Sequence, residues 1–598
     1  MNKISFIHMT GAGTFKPYRL TGLSVTVFIA GSIFIIPFLY SSATIDPVLT
    51  LRFTAWAILT FLMISITYLQ NQRMRIFLDC GIMYRAVFPI LTGYLLVSAL
   101  SLIKAINLTE GIFEWLKIFL SIAFLYAACL ILGSRQKAVL NLTKAMTLAG
   151  ILLSAVGICQ YLDLAFTFIP GNYKIYATMA NKNLFSSILF LILPFALYGG
   201  LRYSGAWKKV GLAAIALIGL SIAIAGSRAV WAALLVSTAA VCLLKLAYQK
   251  KRMTSEKYSF INRLGPIVCA GFIGLGIILG AGAGGQKSSS IVSTDSLAQR
   301  IQLWDKSLKM IKENPLLGVG LGQWKIIFPG CATDNKGQNP DERSSPVHFQ
   351  RPHNDYLWVL SESGFGGLLC YLAFFVTLIF YCIRIIHKSH NPDTIYFSTL
   401  MLFGITGYMV ISFFSFPKER IVHNIFLMVT AACILTVYQQ LFPIRKKIPS
   451  HGLTSLNIVM LCMLAVCVVF GYIRICSEMH ARKALSAKKA GHWQQVINEI
   501  DKADLRFYNM DPVAMPLSGY KGLANFSLGH IEKAREDFHN ALQAHPNHIY
   551  VLNNLGTCAA LLNDYHEAAE YYKKSLAISP GFKQAQNNLR LISDQPAL

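Results

Sequence analysis

Charged residues are scarce in this sequence. Only 14% of its 598 residues are Asp, Glu, Lys or Arg, whereas a soluble protein of this size carries roughly 25%. Hydrophobic residues make up 54% of the chain, and the mean hydropathy is +0.49. Apolar stretches of the roughly 20 residues that a span requires recur through most of the sequence. The scarcity of charge therefore excludes a soluble globular protein and indicates a polytopic membrane protein.

Acidic residues are scarcer than basic ones. The chain has 28 Asp and Glu against 54 Lys and Arg, which gives a formal net charge of +26. The polar C-terminal part is nearly balanced in charge, so the basic excess belongs to the apolar part. Basic residues gather in the cytoplasmic loops of membrane proteins. That rule explains the excess, and we predict no nucleic-acid binding.

Patterns of metal ligands and disulfides are also missing. Most of the 13 cysteines fall inside apolar stretches, as Cys129 does, where a free thiol behaves as a small hydrophobe. Their spacing predicts neither a disulfide framework nor a zinc site. His353, Asn354 and Asp355 stand together but are too few ligands for a metal site. We therefore predict no metal ion and no cofactor.

Two glycine-rich stretches do not fit nucleotide-binding motifs. In "LGAGAGGQKSSS", Gln286 separates the last glycine from the lysine, and an apolar run precedes the stretch where a phosphate loop has a strand. In "GVGLGQW", which begins at Gly318, the third glycine comes one position too early for a dinucleotide-binding turn. We predict nucleotide binding at neither stretch.

Hydropathy predicts an all-α fold with about thirteen membrane spans. The first apolar run is too long for a signal-peptide core and lacks a small-residue cleavage site, so it is predicted to be the first span. Basic residues recur in alternate loops, which places the N-terminus in the cytoplasm. A long loop at 284–353 then lies outside. The spans are centred roughly at residues 30, 58, 96, 122, 150, 191, 217, 237, 273, 375, 405, 432 and 464.

The last part of the chain is polar, Ala-rich and repetitive. Two segments align at a period of about 34 residues, and "AGHWQQVINEI" is a weaker third copy. They resemble tetratricopeptide repeats, whose small and aromatic positions let paired helices pack closely. We predict a membrane domain over 1–478 and an α-solenoid repeat domain over 479–598. The aligned positions are Gly522, Ala534, Phe538, Leu542 and Pro546 with Gly556, Ala568, Tyr572, Leu576 and Pro580.

Several basic residues break the charge rule, because the predicted topology places them outside. Lys182 and Arg228 begin spans, where the helix dipole already disfavours a cation. One cation at a membrane boundary commonly contacts lipid headgroups. Several from separate spans instead predict an outward-facing pocket for a phosphorylated lipid, since arginine binds phosphate in a fork. The set is Lys182, Arg228, Arg300, Arg351, His353, Lys418, Arg420 and His423.

The segments that carry these residues resemble the O-antigen ligase superfamily, which also contains protein O-oligosaccharyltransferases and O-antigen polymerases. "RPHNDYLWVLSESGFGGLLCYL" resembles its histidine signature, and "RIQLWDKSLKMIKENPLLGVGLGQW" resembles the Arg…Trp…Pro-Leu-x-Gly-x-Gly stretch ahead of it. "TMANKNLFSSIL" resembles its Asn-x-Asn segment and "GSRAVWAALL" its Ser-Arg segment. One departure is Lys182, which stands where proline is common.

The resemblance implies a GT-C-type glycosyltransferase of the bacterial inner membrane that needs no metal. It would transfer a glycan from undecaprenyl diphosphate to an acceptor hydroxyl on the periplasmic side, where the repeats would also lie. Arg228 and Arg300 would neutralise the leaving diphosphate. His353 would orient or deprotonate the acceptor hydroxyl, or would hold the phosphate.

The resemblance also assigns residues around this centre. Asp355 and Glu362 are candidates for orienting His353, although solvation of a helix surface explains Glu362 more simply. Substrate binding is assigned to Arg351, Asn354, Lys182, Asn183 and Arg420.

The acceptor stays open between three choices. A lipid acceptor would make the protein an O-antigen (lipopolysaccharide) ligase, which is the leading interpretation. A protein acceptor would make it an O-oligosaccharyltransferase, and a carrier-linked glycan would make it a polymerase. The repeats could bind an acceptor protein or another assembly partner. A flippase or transporter is disfavoured because no inverted repeat with paired broken helices is visible.

Overall fold

The computed structural model describes residues 22–74, 80–134, 137–171, 173–249, 294–331, 349–444 and 450–593. The regular elements of these residues are all helices, and the described residues contain no β-strand, apart from one isolated bridge between Met510 and Pro516. The all-α prediction is therefore confirmed. The apolar part contains helices α1 (Gly22–Ile29), α2 (Leu49–Met74), α3 (Val87–Ser101), α4 (Leu108–Gly133), α5 (Ala138–Tyr161), α6 (Lys182–Arg202), α7 (Gly205–Ala225), α8 (Arg228–Gln249), α9 (Thr294–Glu313), α10 (Trp324–Ile327), α11 (Asp355–Lys388), α12 (Pro392–Phe414), α13 (Ile421–Leu441) and α14 (Ser450–Lys489).

Ten helices of the described chain are long and apolar enough to cross a membrane, and each contains one of the predicted span centres. The predicted spans near residues 30 and 237 correspond to shorter apolar helices, Gly22–Phe38 and Arg228–Leu244. The span predicted near residue 273 lies outside the described residues. A multi-pass membrane protein is confirmed, and the count of thirteen stays a prediction.

Two helices form the centre of the bundle. Almost every residue of α6 and of α13 is buried inside the protein, whereas most residues of α3 and of α7 are not buried by other parts of the protein. A helix that is apolar on all sides is stable only when protein or lipid surrounds it completely. Lys182 begins α6 and Arg420 precedes α13, so both predicted cations lie at the start of a central helix.

Helix α11 is interrupted at Gly364, where φ is 64° and ψ is −169°. A glycine-rich turn fits against this break. The backbone N–H of Val319 donates to Ser361 O at 2.8 Å, and that of Gly320 donates to Glu362 O at 3.2 Å. Gly318, Gly320 and Gly322 all have positive φ, which only glycine adopts at little cost. The stretch that resembles a dinucleotide-binding turn thus attaches the outer loop to α11.

The polar C-terminal part forms the predicted helical repeats. Gly522 of the first helix in one pair faces Phe538 of the second, and a Cβ on Gly522 would lie 2.8 Å from that ring. Gly556 and Tyr572 repeat the relationship at 2.6 Å. The small and aromatic positions therefore pack as predicted. The helices of this part are α15 (Trp493–Asp501), α16 (Leu517–Ser527), α17 (Ile531–Ala544), α18 (Ile549–Leu561), α19 (Tyr565–Ile578) and α20 (Lys583–Ser593).

The last candidate span and the first repeat helix are one continuous helix. Helix α14 has 40 residues, and near its C-terminal end Ala481 and Ala484 pack with Val496 and Ile500 of α15. The boundary predicted after residue 478 falls inside this helix. The division of the chain into two domains stays a prediction, but the structure connects them through a helix and not through a flexible linker.

The repeats contact the membrane part directly. Asn107 Nδ2 donates to Asn509 Oδ1 at 3.0 Å, and the Thr109 hydroxyl donates to Arg506 O at 3.0 Å. Further along, Asn547 Nδ2 donates to the carbonyl of Ile326 in α10 at 3.0 Å. These bonds join the start of α4 and the outer loop to the repeats, so the repeat helices lie close to the end of the bundle that carries the predicted site.

Candidate functional site

His353 lies in a strained turn just before α11. Its φ is 55°, a left-handed conformation that residues with a side chain rarely adopt. Its ring packs edge-on against Phe416 with centroids 4.9 Å apart. The preceding carbonyl, of Pro352, accepts a hydrogen bond from Trp304 Nε1 at 2.9 Å. Strain of this kind persists where the surroundings fix it and is common at functional sites.

Two arginines from separate elements, Arg300 and Arg351, lie near His353, and a third, Arg228, lies near Arg300. Arg228 begins α8, Arg300 is in α9, and Arg351 precedes α11. Desolvation by burial, and then the charges of Arg300 and Arg351, lower the pKa of His353 to about 4, against the opposing effect of Glu419. Burial and the charge of Arg228 lower the pKa of Arg300. The structure thus places Arg300 and Arg351 near His353 and Arg228 near Arg300. Their catalytic and substrate-binding roles stay predictions.

Arg351 is held by a carboxylate. Its guanidinium forms a two-point ion pair with Glu419, in which Nη2 donates to Oε1 at 2.5 Å. Burial alone would raise the pKa of Glu419, but the charges of Arg351 and Arg420 lower it to about 2. Arg420 in turn lies 3.3 Å from Asp46 Oδ2. Arg351 and Arg420 are therefore neutralised within the protein.

Arg228 and Arg300 differ from these two arginines. Neither forms an ion pair with any carboxylate whose side chain the structure describes. Arg228 is exposed and Arg300 is half-buried, and the charge of Arg228 lowers the pKa of Arg300. Two neighbouring cations that lack a counter-charge among the described side chains favour an anionic ligand.

Asn354 and Asp355 hold local structure. Asn354 is buried, and its Oδ1 accepts from the N–H groups of Tyr356 and Leu357 at 3.0 and 3.1 Å, which caps α11. Asp355 Oδ2 accepts from the N–H of Lys418 at 3.1 Å. Asp355 thus fixes the loop that carries Glu419. The proposal that Asn354 binds substrate stays a prediction.

Glu362 corrects an expectation from the sequence. The sequence analysis explained Glu362 by its solvation on a helix surface, and this explanation is wrong, because the residue is only 1% exposed. Its Oε1 accepts from the N–H of Trp324 at 3.1 Å. Glu362 therefore fastens the glycine-rich turn to α11, close to the break at Gly364.

Lys182 and Asn183 lie apart from the histidine cluster. The ammonium group of Lys182 lies over the ring of Tyr173, 5.6 Å from its centroid. Asn181 Oδ1 caps α6 by accepting from the N–H of Asn183 at 2.8 Å. No contact between the described residues joins Lys182 to His353, and both substrate-binding assignments stay predictions.

Arg52 is a buried cation that the sequence analysis missed. It is 3% exposed, and it donates to the carbonyls of Leu39, Pro37 and Thr178, each at 2.9 Å. Arg52 and Arg420 line the same small cavity. The sequence could have indicated Arg52 as a candidate, because this arginine stands inside the apolar run "TLRFTAW". A charged residue within a span is a functional candidate by default.

Comparisons with known proteins agree with this geometry. Residues 212–372 match the family described as O-antigen ligase, and residues 513–580 match the tetratricopeptide repeat. The chain is 24% identical over 344 residues to the exopolysaccharide production protein ExoQ of Rhizobium meliloti, covering 55% of this chain and 74% of the relative. The first match contains Arg228, Arg300, Arg351 and His353. Part of this chain is therefore similar to the O-antigen ligase family, and its C-terminal part is similar to tetratricopeptide repeats.

Proposed function

We propose that this protein transfers a glycan from an undecaprenyl-diphosphate carrier to an acceptor hydroxyl at the periplasmic face of the inner membrane, as an O-antigen ligase. The observation that carries the proposal is that Arg300 and Arg351 lie near His353 in its strained turn and that Arg228 lies near Arg300 in turn. Two of these cations lack a carboxylate partner with a described side chain. A polyprenyl diphosphate is the anion that a glycan-transferring membrane enzyme would place there.

Arg228 and Arg300 act on the leaving group. The acceptor oxygen attacks the anomeric carbon of the donor sugar, and the bond from that carbon to the phosphate oxygen breaks. Negative charge then develops on the departing diphosphate. A fixed cation next to such a developing charge contributes about 2.7–4 kcal/mol, or 10²–10³ in rate. Arg351, which is already paired with Glu419, positions the site.

His353 accepts the proton of the acceptor hydroxyl. With a pKa of about 4, the imidazole of the unliganded enzyme is neutral and has a free lone pair at working pH. The diphosphate of a bound donor offsets the charges of Arg300 and Arg351, which are two causes of the low pKa. The pKa then rises, so the imidazole becomes a stronger base when the donor is in place.

A second candidate function is polymerisation, in which the acceptor is another carrier-linked glycan. The similarity to a protein named for exopolysaccharide production favours this alternative. It uses the same donor and the same three arginines. A protein acceptor, brought by the repeats, defines the third choice, an O-oligosaccharyltransferase.

A deletion strain complemented with variants tests the proposal. Unmodified protein should restore banded lipopolysaccharide, and His353→Ala or Arg228→Ala should not. The exposed His390 and Arg590 supply matched controls, since His390→Ala and Arg590→Ala should complement fully. Immunoblots must show equal insertion of all four variants.

The phenotype of the deletion separates the acceptors. Loss of banded lipopolysaccharide alone supports the ligase. Loss of glycoprotein alone supports protein glycosylation, and single-unit caps on the lipopolysaccharide support the polymerase. Full complementation by either His353→Ala or Arg228→Ala would overturn glycan transfer at this site.

A further inference from the structure

The loop that connects α5 to α6 presents a group of large apolar side chains on the outside of the protein. Single exposed apolar residues are ordinary on a protein surface, but several that lie together mark an interaction site. Such a surface needs a partner that excludes water from it. We call this group the apolar loop surface. Its members are between 38% and 73% exposed, and they are Leu162, Leu164, Phe166, Phe168 and Tyr173.

The loop is fixed in the conformation that turns these side chains outward. The buried amide of Gln160 donates to the carbonyls of Phe166 and Ala177 at 3.1 and 3.0 Å. The Tyr176 hydroxyl donates to Ile169 O at 2.7 Å. Phe166 has a φ of 63°, which a bulky residue adopts only where its surroundings impose it. The exposure of the apolar side chains is therefore a fixed property of the folded loop.

The apolar loop surface continues the side of α5 that faces away from the protein. Leu148, Leu152 and Ala155 are exposed on α5, and Leu162 follows them at helical spacing. Residues at such spacing share one face of a helix. Because α5 is long and apolar enough to span the membrane, that face contacts lipid acyl chains. The same lipid layer therefore extends to Leu162, where the loop surface begins.

Two observations place the loop at the edge of the bilayer. Phe168 packs against Tyr40 with ring centroids 6.2 Å apart, and Tyr40 closely follows the first apolar helix of the described chain. The loop thus lies where two apolar helices end. Lys174 is exposed, and the ammonium group of Lys182 lies 5.6 Å from the centroid of the Tyr173 ring. Aromatic rings concentrate at the boundary between headgroups and acyl chains, and neighbouring lysines extend to the headgroups.

We propose that the apolar loop surface docks into the boundary between headgroups and acyl chains of the phospholipid bilayer, with Lys174 and Lys182 at the lipid phosphates. The chain is joined to the bundle just beyond this surface, because Arg52 Nη2 donates to Thr178 O at 2.9 Å and α6 begins at Lys182. The bilayer thereby sets the depth at which the central helix α6 starts. The inference uses only the multi-pass fold, so it does not depend on the proposed function.

Photolabelling of the full-length protein in nanodiscs of phosphatidylglycerol and phosphatidylcholine tests the docking. One probe is a phosphatidylcholine with a diazirine near the ester end of an acyl chain, and a second probe has the diazirine at the far end of the chain. The first probe should label Leu164 and Phe168, and the second should label Leu152 on α5. Leu591 is the matched control, because it is 68% exposed on α20, as Phe168 is in the loop. It should take up at least ten-fold less of either label.

A second measurement detects water at the same surface. Leu164→Cys and Leu591→Cys each replace an exposed side chain, and thermal melting checks that both variants fold. In nanodiscs, a membrane-impermeant maleimide should modify the thiol of Leu591→Cys at least ten-fold faster than that of Leu164→Cys. After unfolding in detergent, the two thiols should react at the same rate.

Each outcome decides the inference. Equal maleimide rates in nanodiscs would place position 164 in water and overturn the docking. Slow modification without label from the first probe would mean that protein, such as a second copy of this chain, covers the surface, and this also overturns it. Label at Leu164 from the second probe alone would overturn the assignment to the boundary. Slow modification together with label from the first probe supports the docking, whether or not the protein transfers a glycan.

Discussion

Trp304 and Pro352 connect α9 to the turn that carries His353. Trp304 Nε1 donates to Pro352 O at 2.9 Å, and the indole ring packs edge-on against Phe413 with centroids 5.5 Å apart. Arg300 lies one turn before Trp304 on the same helix. This hydrogen bond therefore helps to position α9, and with it Arg300, relative to the turn that carries His353.

The substitution Trp304→Phe should lower the rate of transfer about ten-fold while the protein stays folded. The ring contact with Phe413 survives, and only the indole N–H is lost, a net change of about 0.5–1.5 kcal/mol. Small displacements of catalytic groups cost far more in rate than in stability. Initial rates with reconstituted enzyme provide the measurement. Trp115→Phe, which removes an equivalent bond to Leu95 O, should leave the rate unchanged.

The substitution Arg300→Gln should move the acid limb of the pH–rate profile to higher pH. Burial, Arg300 and Arg351 lower the pKa of His353 to about 4, and free imidazole titrates near 6.5. Removing one of the lowering charges raises the pKa, so that more imidazole is protonated and inactive at pH 5–6. The profile of kcat/KM between about pH 4.5 and 8 checks this.

Arg228→Gln is the control for that shift. Arg228 acts on Arg300 but is not among the charges that shift His353. The Arg228→Gln variant should therefore have a lower rate, while the acid limb of its pH–rate profile stays at the same pH. An acid limb that stays at the same pH in Arg300→Gln would show that the charge of Arg300 does not act on the titrating base.

The sequence predicted those parts of the structure that local patterns encode. Glycine and aromatic residues at a fixed period predicted the close contacts of Gly522 with Phe538 and of Gly556 with Tyr572. Cations near the ends of separate helices predicted a cluster, and the structure places Arg300 and Arg351 near His353. In each case the pattern marks the end or the face of a single helix, and few arrangements of the helices agree with that pattern.

Contacts between distant segments could not be predicted in this way. The carboxylate of Glu419 meets Arg351 across 68 positions, and Arg474 meets Glu110 across 364. Helical periodicity predicts which side of a helix is apolar, but it does not predict which other helix packs against that side. The burial of Glu362 and the carbonyl partners of Arg52 depend on that pairing.

The substitution Gly364→Ala should strongly destabilise the protein. A Cβ there would lie 2.1 Å from the carbonyl oxygen of Leu316, at a φ of +64° that disfavours any side chain. Backbone strain alone costs about 1–3 kcal/mol, and the rigid carbonyl cannot give way. Thermal melting in detergent should show a clear loss. Gly366→Ala, whose Cβ would meet Val97 at 3.4 Å, should be close to neutral, and equal effects of the two would refute the role of the break.

The substitution Glu110→Gln should loosen the repeats from the membrane part. Glu110 pairs with Arg474 and with Lys325, each at 2.6 Å, and it is 6% exposed. Its neutralisation leaves two cations at the interface without their counter-charge, and breaking a buried pair costs about 3–5 kcal/mol. Glu567→Gln breaks the more exposed pair with Arg535, which is worth about 0–1 kcal/mol. Limited proteolysis near residues 501–517 should therefore accelerate in Glu110→Gln and not in Glu567→Gln. Arg474 also donates to the Phe507 carbonyl, which lies in the segment whose cleavage is followed. Equal cleavage of both variants would mean that the pair of Glu110 with Arg474 does not hold the repeats against the membrane part.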